Sequence, residues 1–147
     1  MKVLEVFAPL FGHWQGAEEQ LESPWSPATT ARAALSFRAD VGGAAMLSDY
    51  RQVRANGAEL YGHGVFLVDD ALGVSCWWFD SSGRAPAPHS GGWTDGALVL
   101  TNVSDRGREQ RQFALDGEEL TYAIDVAIGQ GGLEPLLRGR YRSVSMH

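Results

Sequence analysis

Ten short runs of alternating apolar and polar residues, cut apart by turn residues, constrain this chain more than any other feature. The candidate strands are 12–22, 30–39, 44–54, 58–68, 73–80, 88–94, 97–103, 109–116, 119–128 and 134–144. Asn56-Gly57, Asp95-Gly96 and Asp116-Gly117 fall between such runs. These dipeptides are the strongest short-range hairpin signal, because both residues accept the positive φ of a type I′ turn. Ser23-Pro24, Asp40 to Gly43, Asp69-Asp70, Ser81-Ser82-Gly83, Asp105-Arg106-Gly107 and Gly129 to Gly132 mark the other turns. Consecutive hairpins make a meander, and a meander of ten strands must close or split to hide its edges. The expected fold is all-β: a closed ten-stranded antiparallel up-and-down meander barrel. Residues 2–11 differ, with Leu4, Phe7, Leu10 and Phe11 at spacings of three and four. They predict a short N-terminal helical turn, limited by Pro9, that could plug one end.

Side-chain alternation assigns faces unevenly. Leu120, Tyr122, Ile124, Val126 and Ile128 alternate with Thr121, Ala123, Asp125 and Ala127, so the first set is expected inside. Residues 44–54 are mixed on both faces: Met46, Ser48, Tyr50 and Gln52 on one, Leu47, Asp49, Arg51 and Val53 on the other. A partly polar interior is what a ligand cavity would show. At the chain ends, Gly12-x-Trp14 and Arg138-Gly139-Arg140-Tyr141-Arg142 suggest barrel closure, with Arg142 stacked on Trp14. A desolvated contact of that kind is worth about 2 kcal/mol. A second inward arginine, Arg140, could then hold a carboxylate through its planar fork. If Tyr141 points inward instead, all three arginines are solvated. Residues 23–30, with Trp25, and 81–92 read as long connections able to form a rim or lid.

The 147 residues fit a single domain, 1–147, large enough for a real core. Glycine is abundant at 18 residues, which suits tight turns and curved sheets. The net charge of −6, with no lysine or arginine cluster beyond 138–142, argues against nucleic acid and anionic membranes as partners. Cys76 is alone, so no intrachain disulfide forms, and its apolar surroundings predict a small buried hydrophobe. Glu5 interrupts what would be the apolar part of a secretion signal, and no run is long enough to span a membrane as a helix. The expected location is the cytoplasm.

No catalytic motif stands out: there is no Gly-x-Ser-x-Gly, His-Glu-x-x-His or P-loop. Asp69-Asp70 read as turn residues. The histidines are His13, His63, His89 and His147, and His63 lies in a predicted strand, flanked by Gly62 and Gly64. No local spacing supplies a zinc site. Five Trp, four Tyr and six Phe, mostly in strands, describe either a packed core or an aromatic pocket. The residues expected to bind ligand are Tyr50, His63, Trp78, Tyr122 and Arg140. Gly12, Trp14 and Arg142 are expected to close the barrel, and no catalytic residue, cofactor or metal is assigned. An enzyme of the isomerase or cyclase kind would instead need a buried carboxylate or histidine beside aromatics, for which Glu18, Asp49 and His63 are the candidates.

Gly12-His13-Trp14-Gln15-Gly16, Trp78-Phe79-Asp80-Ser81, Gly91-Gly92-Trp93-Thr94-Asp95-Gly96-Ala97-Leu98 and Tyr141-Arg142 together resemble a bacterial family of unknown function. That family is similar to lipocalins and fatty-acid-binding proteins, within the calycin superfamily. The resemblance covers about residues 10–143 and implies a barrel with an internal cavity, without bringing an activity. The fatty-acid clamp, an Arg-x-Tyr in the last strand, is not matched, because position 139 is glycine. Haem barrels of the nitrobindin type carry a late histidine, and strands nine and ten have none. The expected function is therefore non-enzymatic binding of a small, largely apolar or amphipathic ligand, with a cavity-based isomerase or cyclase and a haem-binding barrel as alternatives. Homodimerisation through an outer face is compatible with the sequence, although no patch demands it.

Overall fold

All three hairpin dipeptides turn strands where expected, and the strands they join close on themselves. The computed structural model describes residues 2–144. Its strands are β1 (Gly12–Gln20), β2 (Thr29–Asp40), β3 (Ala45–Arg54), β4 (Glu59–Val68), β5 (Val74–Asp80), β6 (Ala87–Thr94), β7 (Ala97–Ser104), β8 (Gly107–Asp116), β9 (Glu119–Ile128) and β10 (Glu134–Val144). Each pairs antiparallel with its sequence neighbours, and β1 pairs with β10 to complete the barrel. The closing register sets Trp14 opposite Ser143, Gly16 opposite Tyr141 and Glu18 opposite Gly139. Gly16 permits this approach, because a Cβ there would overlap the backbone carbonyl of Arg140. His147 lies outside the described residues.

The plug is real and differs in detail from its sequence signature. Helix α1 (Lys2–Phe7) runs into a 3₁₀ turn (Ala8–Leu10) in which Pro9 costs no hydrogen bond. Val3, Phe7 and Leu10 are buried, whereas Leu4 faces solvent. Trp14 reaches back from β1, and its indole N–H donates to the Leu10 carbonyl at 2.9 Å. A buried indole N–H left without a partner would cost about 1–3 kcal/mol, so this bond fixes the plug on the first strand.

The half of the interior next to the plug is packed solid. Phe7, Phe37, Phe66 and Phe113 meet edge-to-face, with centroids 5.6 to 6.4 Å apart. Met46, Leu98, Leu100 and Leu120 fill the gaps among them. A ten-stranded circumference is thus filled at one end by rings and by the helix, and an inner cavity lies toward the opposite mouth.

Two sequence expectations about the ends are overturned. Leu137, Gly139 and Tyr141 are the buried residues of β10, so Arg138, Arg140 and Arg142 lie on the outer face. Arg142 does not stack on Trp14; Arg140 and Arg142 instead reach Glu119 at 3.0 and 3.5 Å. The physical reason is the pleat. Only one of two alternating sets can face inward, and placing three guanidiniums in an apolar barrel would cost far more than leaving them in water. In β9, Leu120 and Tyr122 are buried as expected, but Ile128 is exposed while Ala127 is buried. This break in alternation lies near the mouth, as does a register shift between Pro135 and Leu137 in β10. The outer face of β4 and β5 also exposes Tyr61, Leu67, Trp77 and Phe79, an apolar strip that the sequence reading does not single out.

Candidate functional site

The cavity sits at the end of the barrel away from the helix, where inward side chains turn from hydrocarbon to polar. Its volume is about 250 Å³. Tyr50, Gln52 and Arg54 come from β3, Trp78 from β5, Glu109 and Arg111 from β8, and Tyr122 from β9. Leu60, Ile124, Leu136 and Leu137 add an apolar lip. Larger depressions, of 990, 960 and 620 Å³, are lined mostly by outer strand residues and the Trp25 loop, although the first also reaches Glu18, Tyr122 and Gly139. The inner cavity is the candidate site, because the buried polar groups converge there.

Trp78 is held in place from both sides. A Cβ at Gly62 or Gly64 would crowd its six-membered ring, so the two glycines of β4 let the indole lie against the strand backbone. On the indole sits the Arg111 guanidinium, 4.7 Å from the ring centroid. Arg111 also donates from Nε to Glu109 at 2.5 Å and from Nη1 to the Tyr122 hydroxyl at 3.0 Å. Tyr122 stacks on Phe113 with centroids 4.5 Å apart, so the polar floor rests on the phenylalanine core.

Glu109 is shared by two partners. His89, 3% exposed, places Nε2 3.0 Å from the same Glu109 oxygen that Arg111 contacts. Burial works against ionisation of Glu109, but the His89 hydrogen bond and the Arg111 charge more than offset it, and its pKa falls to about 2. Arg111 is held cationic: burial opposes its charge, and the polar groups of Tyr122 and Glu109 outweigh that. Burial pushes the Cys76 thiol up to about 12, so it stays a neutral thiol as expected.

A second network is centred on Glu18, 3% exposed and inward-facing on β1. One carboxylate oxygen accepts from the Tyr50 hydroxyl at 2.5 Å and from Gln52 Nε2 at 2.7 Å. The other accepts from the Tyr141 hydroxyl. Gly139 makes room for this contact, since a Cβ there would strike the Tyr141 hydroxyl. Gln52 then passes polarity outward, its Oε1 accepting from Arg54 Nε at 3.0 Å. Burial first, and the Glu18 charge second, raise the pKa of Tyr50 and of Tyr141, so both phenols keep their protons and donate them.

Of the five residues expected at the site, the structure brings Tyr50, Trp78 and Tyr122 to one cavity. It does not bring His63 or Arg140. His63 points outward and pairs with Asp49 at 2.8 Å, a contact that takes both of these enzyme candidates out of the interior. Arg140, 69% exposed, is bound to Glu119 on the outer face. Glu18, Gln52, Glu109, Arg111 and His89 carry the polar interior instead. Trp25 is exposed beside an outer trough and does not cap the cavity, while Ser82 and Arg84 of the 81–86 loop do line its mouth.

The fold has solved counterparts. The chain is similar to Rv2717c from M. tuberculosis, with 18% identity, a TM-score of 0.78, and 97% of this chain and 98% of that one covered. It is also similar to the S-type phycobiliprotein lyase CPES from Guillardia theta, with 11% identity, a TM-score of 0.67, and 100% and 95% coverage. The fold is that of a calycin-like barrel. At these identities the likeness concerns the fold alone. No family model matches the sequence, and no curated protein matches it either.

Proposed function

We propose that this barrel is a binding protein for a small amphipathic molecule, held with its polar end on the cavity floor and its apolar end at the lip. One observation carries this reading: the floor presents hydrogen-bond donors that no group among the described residues uses. Arg111 spends Nε and Nη1 on Glu109 and Tyr122, and its Nη2 has no acceptor among the described residues. Tyr122 accepts from Arg111, and its own proton has no acceptor there. Among the described residues Arg54 uses only Nε, on Gln52. Donors held in place around a recess favour a ligand that brings acceptors, best an anionic group. The small volume, below the roughly 300–1,000 Å³ of drug-sized sites, favours a compact ligand. A phycobiliprotein lyase among the structural neighbours is consistent with a small molecule in such a barrel.

The enzymatic alternative has less support. Glu18 is the one buried acid among its three candidates, but both its oxygens are already occupied by donors. The haem alternative lacks an available histidine among the described residues. His63 is outside the barrel, and both His89 nitrogens face acceptors, Glu109 at 3.0 Å and the Ala87 carbonyl at 3.4 Å. Native mass spectrometry of protein isolated from its own host tests the proposal. A bound species of a few hundred daltons at most, lost in an Arg111→Met variant that still folds, is expected. Ligand-free protein that also ignores a library of small organic acids would overturn it.

A further inference from the structure

The two tyrosines on the cavity wall have opposite hydrogen-bond polarity, and the protein fixes both. Glu18, as a carboxylate, can only accept. The Tyr50 proton is therefore committed to Glu18, and the free side of Tyr50 Oη is an acceptor. The same logic holds Gln52 in one amide orientation, with nitrogen toward Glu18 and oxygen toward Arg54. Tyr122 is the reverse case. A guanidinium can only donate, so Arg111 fills a lone pair of the Tyr122 oxygen and leaves its proton for the cavity. The rings are 6.5 Å apart between centroids, close enough for one small ligand to touch both.

We infer that the ligand is a hydroxy- or amino-substituted acid, whose anionic group meets Tyr122 and Arg111 while its own O–H or N–H donates to Tyr50. Glu18 is the positioning residue that imposes this polarity without touching the ligand. The inference rests on the amphipathic-ligand reading above and adds the required donor. A ligand with an acid group and no donor leaves Tyr50 Oη desolvated and unpaired. An unmade hydrogen bond of this kind discriminates by about tenfold or more.

Calorimetric titration with benzoate, 3- and 4-hydroxybenzoate and their methyl ethers tests this directly. At least one hydroxybenzoate is expected to bind about tenfold more tightly than both its ether and benzoate. In Glu18→Gln the new amide can donate to Tyr50 and release the phenol proton toward the cavity, so the ratio is expected to fall to about one. Tyr50→Phe removes the acceptor outright and should do the same, which keeps the test decisive if Glu18→Gln fails to fold. A lesion that merely loosened the barrel would weaken all five probes together and leave the ratio unchanged. Equal affinity for hydroxybenzoates and ethers in the unaltered protein overturns the inference while sparing the amphipathic-anion reading. Failure of every probe, benzoate included, overturns both.

Discussion

The Arg111 guanidinium sits over Trp78, 4.7 Å from its ring centroid, and the indole is backed by the two glycines that flank His63. The sequence predicts an arginine–tryptophan stack at the barrel's closing strands, between Arg142 and Trp14. The one that forms is between β5 and β8, and it belongs to the cavity rather than to closure.

The bed beneath Trp78 is testable by adding one methyl group. Gly62→Ala puts a Cβ into the indole ring, so Trp78 must tilt or β4 must move. Overpacking of this kind costs about 1–3 kcal/mol. Urea denaturation should show that loss, and Gly57→Ala, in open space at a turn with positive φ, should lack any signature at Trp78 in the near-ultraviolet dichroism spectrum.

Glu109 sets an acid limit on stability. Its pKa in the folded protein is about 2, against an ordinary value of 4.5. A depressed carboxyl pKa contributes stability that is complete above the unfolded value and disappears as pH falls through the folded one. The contribution should therefore be constant above about pH 5 and be lost between roughly pH 4.5 and 2. With the side chain 30% exposed, solvent screening reduces it to about 1–2 kcal/mol. Unfolding midpoints measured across this window should fall less steeply in Glu109→Gln than in the unaltered protein.

The phenylalanine cluster is expected to dominate core stability. Phe113 contacts Phe37, Phe66 and Tyr122, so Phe113→Ala opens a cavity beneath the polar floor. A loss of about 3–5 kcal/mol is expected, measured as a shift in the denaturation midpoint. Ligand affinity should fall as well, because Tyr122 loses the ring on which it is stacked.

Arg140 should be dispensable. Its ion pair with Glu119 is on the outer surface, and exposed pairs of this kind are worth about 0–1 kcal/mol. Arg140→Ala is expected to change stability by less than about 0.5 kcal/mol and to leave binding to the cavity intact. A large loss of binding would place the ligand on the outer trough instead.

How far the sequence could be read follows from what each signal encodes. Period-two alternation and the Asn-Gly and Asp-Gly turns carry strand order and closure locally, so the barrel was legible. The face of β10 was not, because Arg-Gly-Arg-Tyr-Arg alternates equally well either way, and only burial of Tyr141 against Glu18 decides it. Tyr50, Trp78 and Tyr122 are expected inside because large rings in strands tend to face inward, and all three are buried. Glu18 could have been recognised as a pocket organiser, since it shares a face with Trp14 and Gly16. Arg111 had a similar signal in Phe113 two residues on. Neither shows fully from local sequence that it will be satisfied, because Glu109 is the one near neighbour among their partners and the others come from β3, β5, β9 and β10. His63 drew attention through its glycines, whose task is to receive Trp78 on the opposite face.

The most direct test of the central claim is to locate a bound ligand by nuclear magnetic resonance. With a hydroxybenzoate titrated into protein carrying labelled tryptophan and tyrosine, resonances of Trp78, Tyr50 and Tyr122 are expected to shift together and saturably, while those of Trp25 and Trp77 stay in place. Saturable shifts confined to Trp25 or Trp77, with the three cavity residues unmoved, would contradict ligand binding inside the barrel.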